Sequence, residues 1–226
     1  RFNRSFWVKP VAWLFYGVFA LAAMWYAPRN IPVKLQRFEP ALPAPLAMDR
    51  QAWWQQGWAT LPARRNEFDD DQRWPLDVQV AGPLAPLQAQ LEARGWRVQE
   101  QAGWQQALLM LDKNTGADEL PVLPATLETR VEALLMVRQG AKPDERYVLR
   151  LWQAPGQLQP GDVPLWLGSA QTLRYERHFE WIGMWHPVRG IDPAFNAVKD
   201  AVQGMPQHED VHAETGLPVL RLKTQP

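Results

Sequence analysis

Five residues near the C-terminus, His208-Glu209-Asp210-Val211-His212, spell H-E-x-x-H. On a helix, that spacing puts two imidazoles on one face for a zinc ion, with a carboxylate beside them as general base. The surroundings do not supply the rest. The preceding helical pattern stops at Gly204 and Pro206, and a strand-like run resumes at Leu217, which leaves room for barely two turns. Little beyond Val211 could bury such a helix. Pro218 stands where the longer form of the motif has a histidine, and Glu214 is badly placed as a third ligand. The segment reads as a polar surface turn. A loose metal contact from the two histidines, and with it a His-centred hydrolase, is the alternative reading.

Other reactive residue types are scattered. His178 and His186 lie near Glu176, Arg177 and Glu180, a set from which a general acid/base pair could be built, since neighbouring charges tune histidine around neutrality. Ser169 in "LWLGSAQ" lacks the G-x-S-x-G elbow and reads as a strand-end serine. Trp152 and Trp166 fall on adjacent expected strands, where cross-strand packing is the default and an aromatic platform the alternative. Arg150, Arg174 and Arg177 could meet a phosphate headgroup or simply face solvent. Asp69, Asp70 and Asp71 lack the ligand spacing and glycine of a calcium loop. No catalytic, cofactor-binding or metal-binding residue is assigned, and no cofactor is expected.

Composition narrows the field. The 24 basic residues balance 24 acidic ones, so no overall field favours nucleic acid. Cysteine is absent, which excludes disulfides, thiolate zinc sites and a cysteine nucleophile. Thirteen tryptophans among 226 residues suit half-wet cores, interfaces and membrane boundaries.

The elements that would position these residues can be read from periodicity. Between Lys9 and Arg29 no side chain is charged, and Val11 to Ala27 is almost wholly apolar, flanked by Trp7, Trp25 and Tyr26. Seventeen helical residues span about 26 Å, near the lower limit for a hydrocarbon core of about 30 Å. Residues 1–28 are therefore expected to be a transmembrane helix with a basic flank, in preference to a signal peptide or a buried core helix. Basic residues tie across it, so charge does not orient it. Residues 29–47 are a proline-rich, semi-rigid spacer. The chain starts with Arg, and is expected to be the tail of a longer protein.

Residues 48–226 read as an α+β domain, a small antiparallel or mixed sheet packed with about three helices. Asp49 caps a short helix in which Trp53, Trp54 and Trp58 cluster and which Pro62 stops, all three tryptophans expected to pack on the domain. "PLDVQVAG" alternates as a half-buried strand. Leu84, Leu87 and Leu91 mark one helix, Trp104, Leu108 and Leu111 a second, and Phe195, Val198 and Val202 a third. Between them lie "VEALLMVRQ", "RYVLRLWQA", "VPLWLGSAQT" and "LRYERHFEW", with "KPDE" as a hairpin turn, and "GLPVLRLK" is a final strand.

The ordered blocks "WWQQGWATLPARR", "PLDVQVAGPLAPLQAQLEARGW", "ELPVLPATLETRVEALLMVR", "RYVLRLWQAP", "PLWLGSA" and "GLPVLRLK" resemble the LssY-like C-terminal domain over roughly residues 50 to 223. The resemblance implies a bacterial inner-membrane protein in which this domain follows a type-2 phosphatidic acid phosphatase domain, a DedA-like domain, or both. It implies as partners the bilayer and such a membrane domain, in the same or a neighbouring chain, and a periplasmic location. The phosphatase family's Ser-Gly-His motif has no counterpart, because the two serines, Ser5 and Ser169, do not precede Gly-His. The expected function is a membrane-anchored accessory or binding domain without a complete catalytic site of its own.

Overall fold

The computed structural model of the protein describes residues 13–26, 46–65, 74–103, 106, 108–112, 114–128, 130–178, 182–188 and 193–224. The chain divides into two units, residues 1–41 and 42–226. In the first, residues 13–26 form helix α1. Trp13, Leu14, Phe15, Tyr16, Val18, Phe19, Leu21, Met24, Trp25 and Tyr26 are each at least 51 % exposed, and at 100° per residue they cover its whole circumference. Fourteen residues rise only about 21 Å. Among the described residues no helix is long and apolar enough to cross a membrane. Residues 13–26 of the expected span are helical; Val11, Ala12, Ala27 and most of the proline-rich spacer lie outside the described residues.

The second unit is organised by two long neighbouring strands, β9 (Glu145–Gln159) and β10 (Val163–His178), paired antiparallel. Their sequences explain their length: β-branched, aromatic and leucine residues alternate in facing direction, and the "KPDE" turn launches β9 from β8 (Leu134–Gln139) as expected. Pro155 has no N–H to give, and the ladder changes there. Outside β9, residues 146–151 pair with β8, whereas 156–159 pair in parallel with β1 (Leu46–Asp49). Leu46 and Ala47, at the end of the spacer, therefore belong to the sheet. The outer edge of β10 is shared likewise by β4 (Val78–Ala81) and β11 (Ile182–Pro187). The buried Asp77 carboxylate accepts from Ala170 N–H (2.8 Å) in the gap between them.

The complete sheet has nine strands, so it is large where a small one was expected. β13 (Pro218–Lys223) runs parallel to β4, β12 (Gln207–Val211) forms the edge beside β13, and β5 (Arg97–Val98) lies beside β8. Two short ladders lie apart, β2 (Arg64–Arg65) with β3 (Trp74–Pro75) and β6 (Thr126–Leu127) with β7 (Arg130–Val131). β4 lies between β13 and β10 inside the sheet, and both of its faces are covered, Val78 and Val80 by two helices on one side and Gln79 by Trp53 and Trp58 on the other. Val78, Gln79, Val80 and Ala81 are all buried, and the expected half-buried alternation is lost.

On one face of the sheet, α3 (Leu84–Glu92) and α4 (Pro193–Ala201) bury Leu87, Leu91, Phe195 and Val198 against Val78, Val80, Leu149, Leu151 and Leu220. Complete burial of each such aliphatic side chain contributes about 1.5–3 kcal/mol. The other face is covered by α2 (Arg50–Gln55), capped by Asp49 accepting from Ala52 N–H at 2.7 Å, whose Trp53 packs with Trp58 beside Trp152 and Leu165. Gln79, pointing to this face, accepts from Trp53 Nε1 and donates to Trp58 O. The helix expected around Trp104 falls partly outside the described residues: Gln106 and Leu108 are helical, and Leu109–Leu111 follows as a 3-10 turn with Met110 inward and Leu108 and Leu111 exposed.

Gly168 lies where β4, β9 and β10 approach most closely. A Cβ there would come within 2.9 Å of the Arg150 carbonyl and 3.2 Å of Val78 Cβ, neither of which is a movable side-chain tip. Gly168→Ala is expected to destabilise the domain by about 1–3 kcal/mol through overpacking, read as a lower urea midpoint at unchanged slope.

Candidate functional site

The first four residues of the H-E-x-x-H segment lie in β12, an edge strand rather than a turn or a helix, and His212 follows directly after it. Four residues of strand place His208 and His212 about 13 Å apart along the backbone, so the zinc-protease geometry does not form. His208 packs near Trp54 and its Nε2 lies 3.3 Å from Asp210. His212 is buried edge-on against Trp58, and its Nδ1 accepts from Glu214 N–H. Asp210 instead pairs with Arg221, which is fully buried. That guanidinium also donates to Trp54 O and lies over the Trp58 ring at 4.9 Å, so it ties the edge strand to the tryptophan layer. Burial pulls Arg221 below the usual arginine range, and Asp210 opposes the shift.

The other sequence candidates separate as well. Trp152 and Trp166 point to opposite faces, since Trp152 pairs in register with Leu167 and Trp166 with Gln153; they form no platform. Trp152 packs in the core below α2, while Trp166 Nε1 donates to Gly82 O on the other side. Ser169 is fully buried in the middle of β10, not at a strand end. Arg174 pairs with Glu145 (3.1 Å), and Arg177 donates to Tyr175 OH. Arg174, then Lys142, hold the Glu145 carboxyl below the usual range. Asp69–Asp71 and Glu180 lie outside the described residues.

What converges is a segment the sequence marks only by its prolines. Residues 120–126, "LPVLPAT", run extended without a strand partner until Thr126. Pro121 and Pro124 lack N–H groups and cannot complete a ladder, yet their neighbours' carbonyls still need donors. Side chains supply them. Arg146, Arg150 and Trp152 project from the same face of β9. Arg146 Nη1 donates to Leu120 O (2.9 Å), Arg150 Nη2 to Leu123 O (2.9 Å) and Trp152 Nε1 to Ala125 O (3.2 Å). Gln99 bonds both Val122 N–H and Val122 O, and Glu132 accepts from Ala125 N–H at 2.9 Å. Trp185 Nε1 also donates to Leu120 O, while the Arg146 guanidinium lies 4.3 Å from the Trp185 ring centroid. Burial pulls Arg146 below its ordinary range.

Behind this clamped segment is a cavity of about 300 Å³, at the lower end of the usual size for small-ligand sites. Met110, Val122, Leu173, Trp74 and Trp185 give it apolar walls, and Arg65, Arg150 and Gln171 bring polar groups. Arg150 is neutralised by Glu132 at 2.8 Å, both nearly fully buried. Arg65, 5 % exposed, donates to Thr126 O. Gln171, 6 % exposed, keeps its Nε2 buried with no hydrogen-bond partner among the described residues. Such a donor needs an acceptor. At the rim His186 lines the cavity and meets His178, Nε2 to Nε2, at 2.9 Å. The sequence offered one usable signal for the buried pair, an arginine centred in the apolar run "YVLRLW". Nothing local marked Gln171 or Glu132.

This architecture defines a mixed α+β domain, a large and mostly antiparallel sheet with helices on its faces. The chain belongs to the LssY C-terminus family, whose model matches residues 58–211. No curated protein and no solved structure matches it.

Two substitutions separate the clamp from the donor it leaves over. Glu132→Ala strands the buried Arg150 charge and the Ala125 N–H, and is expected to cost about 3–5 kcal/mol in urea unfolding. Gln171→Met removes a buried amide with an unpaired donor at similar volume. It is expected to leave stability unchanged or raise it by about 1 kcal/mol in the same measurement.

Proposed function

We propose that this chain is a membrane-anchored accessory domain, the C-terminal part of a lipid-phosphate phosphatase-type membrane protein, and that its own task is to bind rather than to react. The observation that carries the binding role is a largely apolar cavity lined by the Gln171 amide, whose buried Nε2 has no hydrogen-bond partner among the described residues. An unpartnered donor in a largely apolar enclosure favours a ligand with an acceptor head and an apolar body. A phosphorylated lipid has that chemistry.

The anchoring role rests on α1. An helix apolar around its full circumference has no polar face to turn to water, and a lipid environment satisfies it. Its described length of about 21 Å becomes sufficient for a span if the flanking apolar residues Val11, Ala12 and Ala27 continue it. The domain would then lie on the periplasmic side, one crossing beyond a six-span phosphatase that starts and ends in the cytoplasm. A C-terminal reporter active only in the cytoplasm is expected to stay silent, and a signal from it would reverse this placement.

Full-length protein reconstituted in phosphatidylcholine vesicles is expected to resist a carbonate wash. Phe19→Lys places a charge near the middle of the helix at a cost of about 2.5–3.5 kcal/mol, and should reduce the retained fraction markedly. Wild-type protein released completely by carbonate would remove the anchor from this reading. For the cavity, titration with a short-chain phosphatidic acid is expected to change tryptophan emission saturably through Trp74 and Trp185. Gln171→Met should weaken this by about tenfold, the worth of one charge-assisted hydrogen bond. Inorganic phosphate in parallel separates headgroup binding from binding of the whole lipid. No saturable response to either probe would refute the binding role.

A further inference from the structure

The hairpin of β10 and β11 gathers three side chains of a different chemistry. In its register Arg174 faces His186, Glu176 faces Met184 and His178 faces Ile182. Arg174, Glu176 and His178 alternate onto one face of β10, and His186 shares that face as the partner of Arg174. Glu176 therefore sits on the rung between the two histidines, and both rings lean toward it. His178 Nε2 lies 2.9 Å from His186 Nε2 and 3.9 Å from Glu176 Oε2, and all three ligand atoms fall within 4.8 Å of one another.

We propose that Glu176, His178 and His186 form a binding site for a divalent transition metal of the zinc class. Two imidazole nitrogens and a carboxylate oxygen are the borderline donor set that such ions prefer over calcium or magnesium, which take oxygen ligands. Tetrahedral zinc with bonds of about 2.0–2.1 Å requires its ligand atoms to be about 3.3–3.4 Å apart. The histidine nitrogens must therefore spread by roughly 0.4 Å, and the carboxylate must close by roughly 0.5 Å on His178 and by up to about 1.4 Å on His186, which rotation of the exposed Glu176 side chain can supply. Three protein ligands leave the fourth position to water.

The neighbourhood tolerates the ion. Arg174, the closest cation in the register, turns to Glu145 and also lies 3.9 Å from Asp144. Arg177 points from the opposite face of β10 toward Tyr175 and Thr115 O. Glu176 and His178 are exposed and His186 is half-buried, so an ion can enter from solvent. His186 is also among the residues that line the cavity. The site does not depend on the cavity's ligand, and it uses neither histidine of the H-E-x-x-H segment.

The test uses the full chain, freed of metal by chelation, and zinc alone as the probe. Calorimetry is expected to show one equivalent bound, with affinity lowered about tenfold or more by His178→Ala and by His186→Ala and less by Glu176→Gln. His208→Ala should leave it unchanged. Cobalt substituted for zinc should give the visible bands of a tetrahedral site, lost in the same two alanine variants. The altered side chains lie at an exposed hairpin, so unchanged circular dichroism will show that the variants fold. Absence of stoichiometric binding, or binding that survives both His178→Ala and His186→Ala, overturns the proposal.

Discussion

The structure depends on how the carbonyls of residues 120–126 are satisfied. A buried peptide group without a partner costs on the order of 1–3 kcal/mol, and a segment with two prolines cannot repair that by joining a sheet. β9 solves the problem with side chains. Strand geometry sets every second residue on one face about 6.6 Å apart, which carries Arg146, Arg150 and Trp152 along the segment they serve. Their long donors reach Leu120, Leu123 and Ala125 in turn. The extended segment becomes a fixed wall without being a strand.

That solution requires charge inside the domain, and the charges are managed differently at each position. Arg150 is fully paired with Glu132, which also accepts from Ala125 N–H, so one carboxylate serves the ion pair and the wall together. Arg146 is satisfied by carbonyls and by the face of Trp185, with no carboxylate bonded to it in these contacts. Arg221, at the far side of the sheet, combines both solutions through Asp210, Trp54 O and the tryptophan rings. The abundance of tryptophan thereby acquires a physical reason. Indoles here supply N–H donors and cation-binding faces as well as apolar area.

Local rules made much of the scaffold legible. The Asp49 cap, the "KPDE" hairpin, the Leu87–Leu91 stripe and the Phe195–Val198–Val202 stripe each involve residues only a few positions apart, and each lies where its spacing put it. Long-range placement was not legible. The burial of Gln79 follows from Trp53 and Trp58, more than 20 positions earlier in the chain, folding over its face of the sheet. His208 and His212 have helical spacing, yet pairing with β13 holds His208 through Val211 in a strand, and tertiary context overrode the local pattern. The convergence of Glu176, His178 and His186 depends on a hairpin register that alternation alone does not fix. Ser169 is expected near a strand end because alternation divides this stretch into two runs, "VPLWLGSAQT" and "LRYERHFEW", whereas β10 passes through both as one strand, with Gly168 closely approached by its neighbours within it.

These features separate the polar groups that hold the fold from those it leaves over. Arg146, Gln99 and Glu132 are consumed by the wall, and their hydrogen bonds go to backbone groups that would otherwise be orphaned. The Gln171 amide is not consumed, although β10 could hold an aliphatic residue at that position with no loss of the contacts described here. Buried polar groups that give nothing to stability are expensive to keep, and they gather where a molecule meets something else. The histidine cluster fits the same reasoning from the exposed side: its three ligand atoms face one another rather than any backbone group. Both features lie along the stretch of β10 beyond Ala170, where β4 has ended and β11 has taken over the edge. Where one neighbour is exchanged for the other, the edge of β10 is held by single bonds, Ala170 N–H to the Asp77 carboxylate and Val188 N–H to Thr172 O, in place of a ladder.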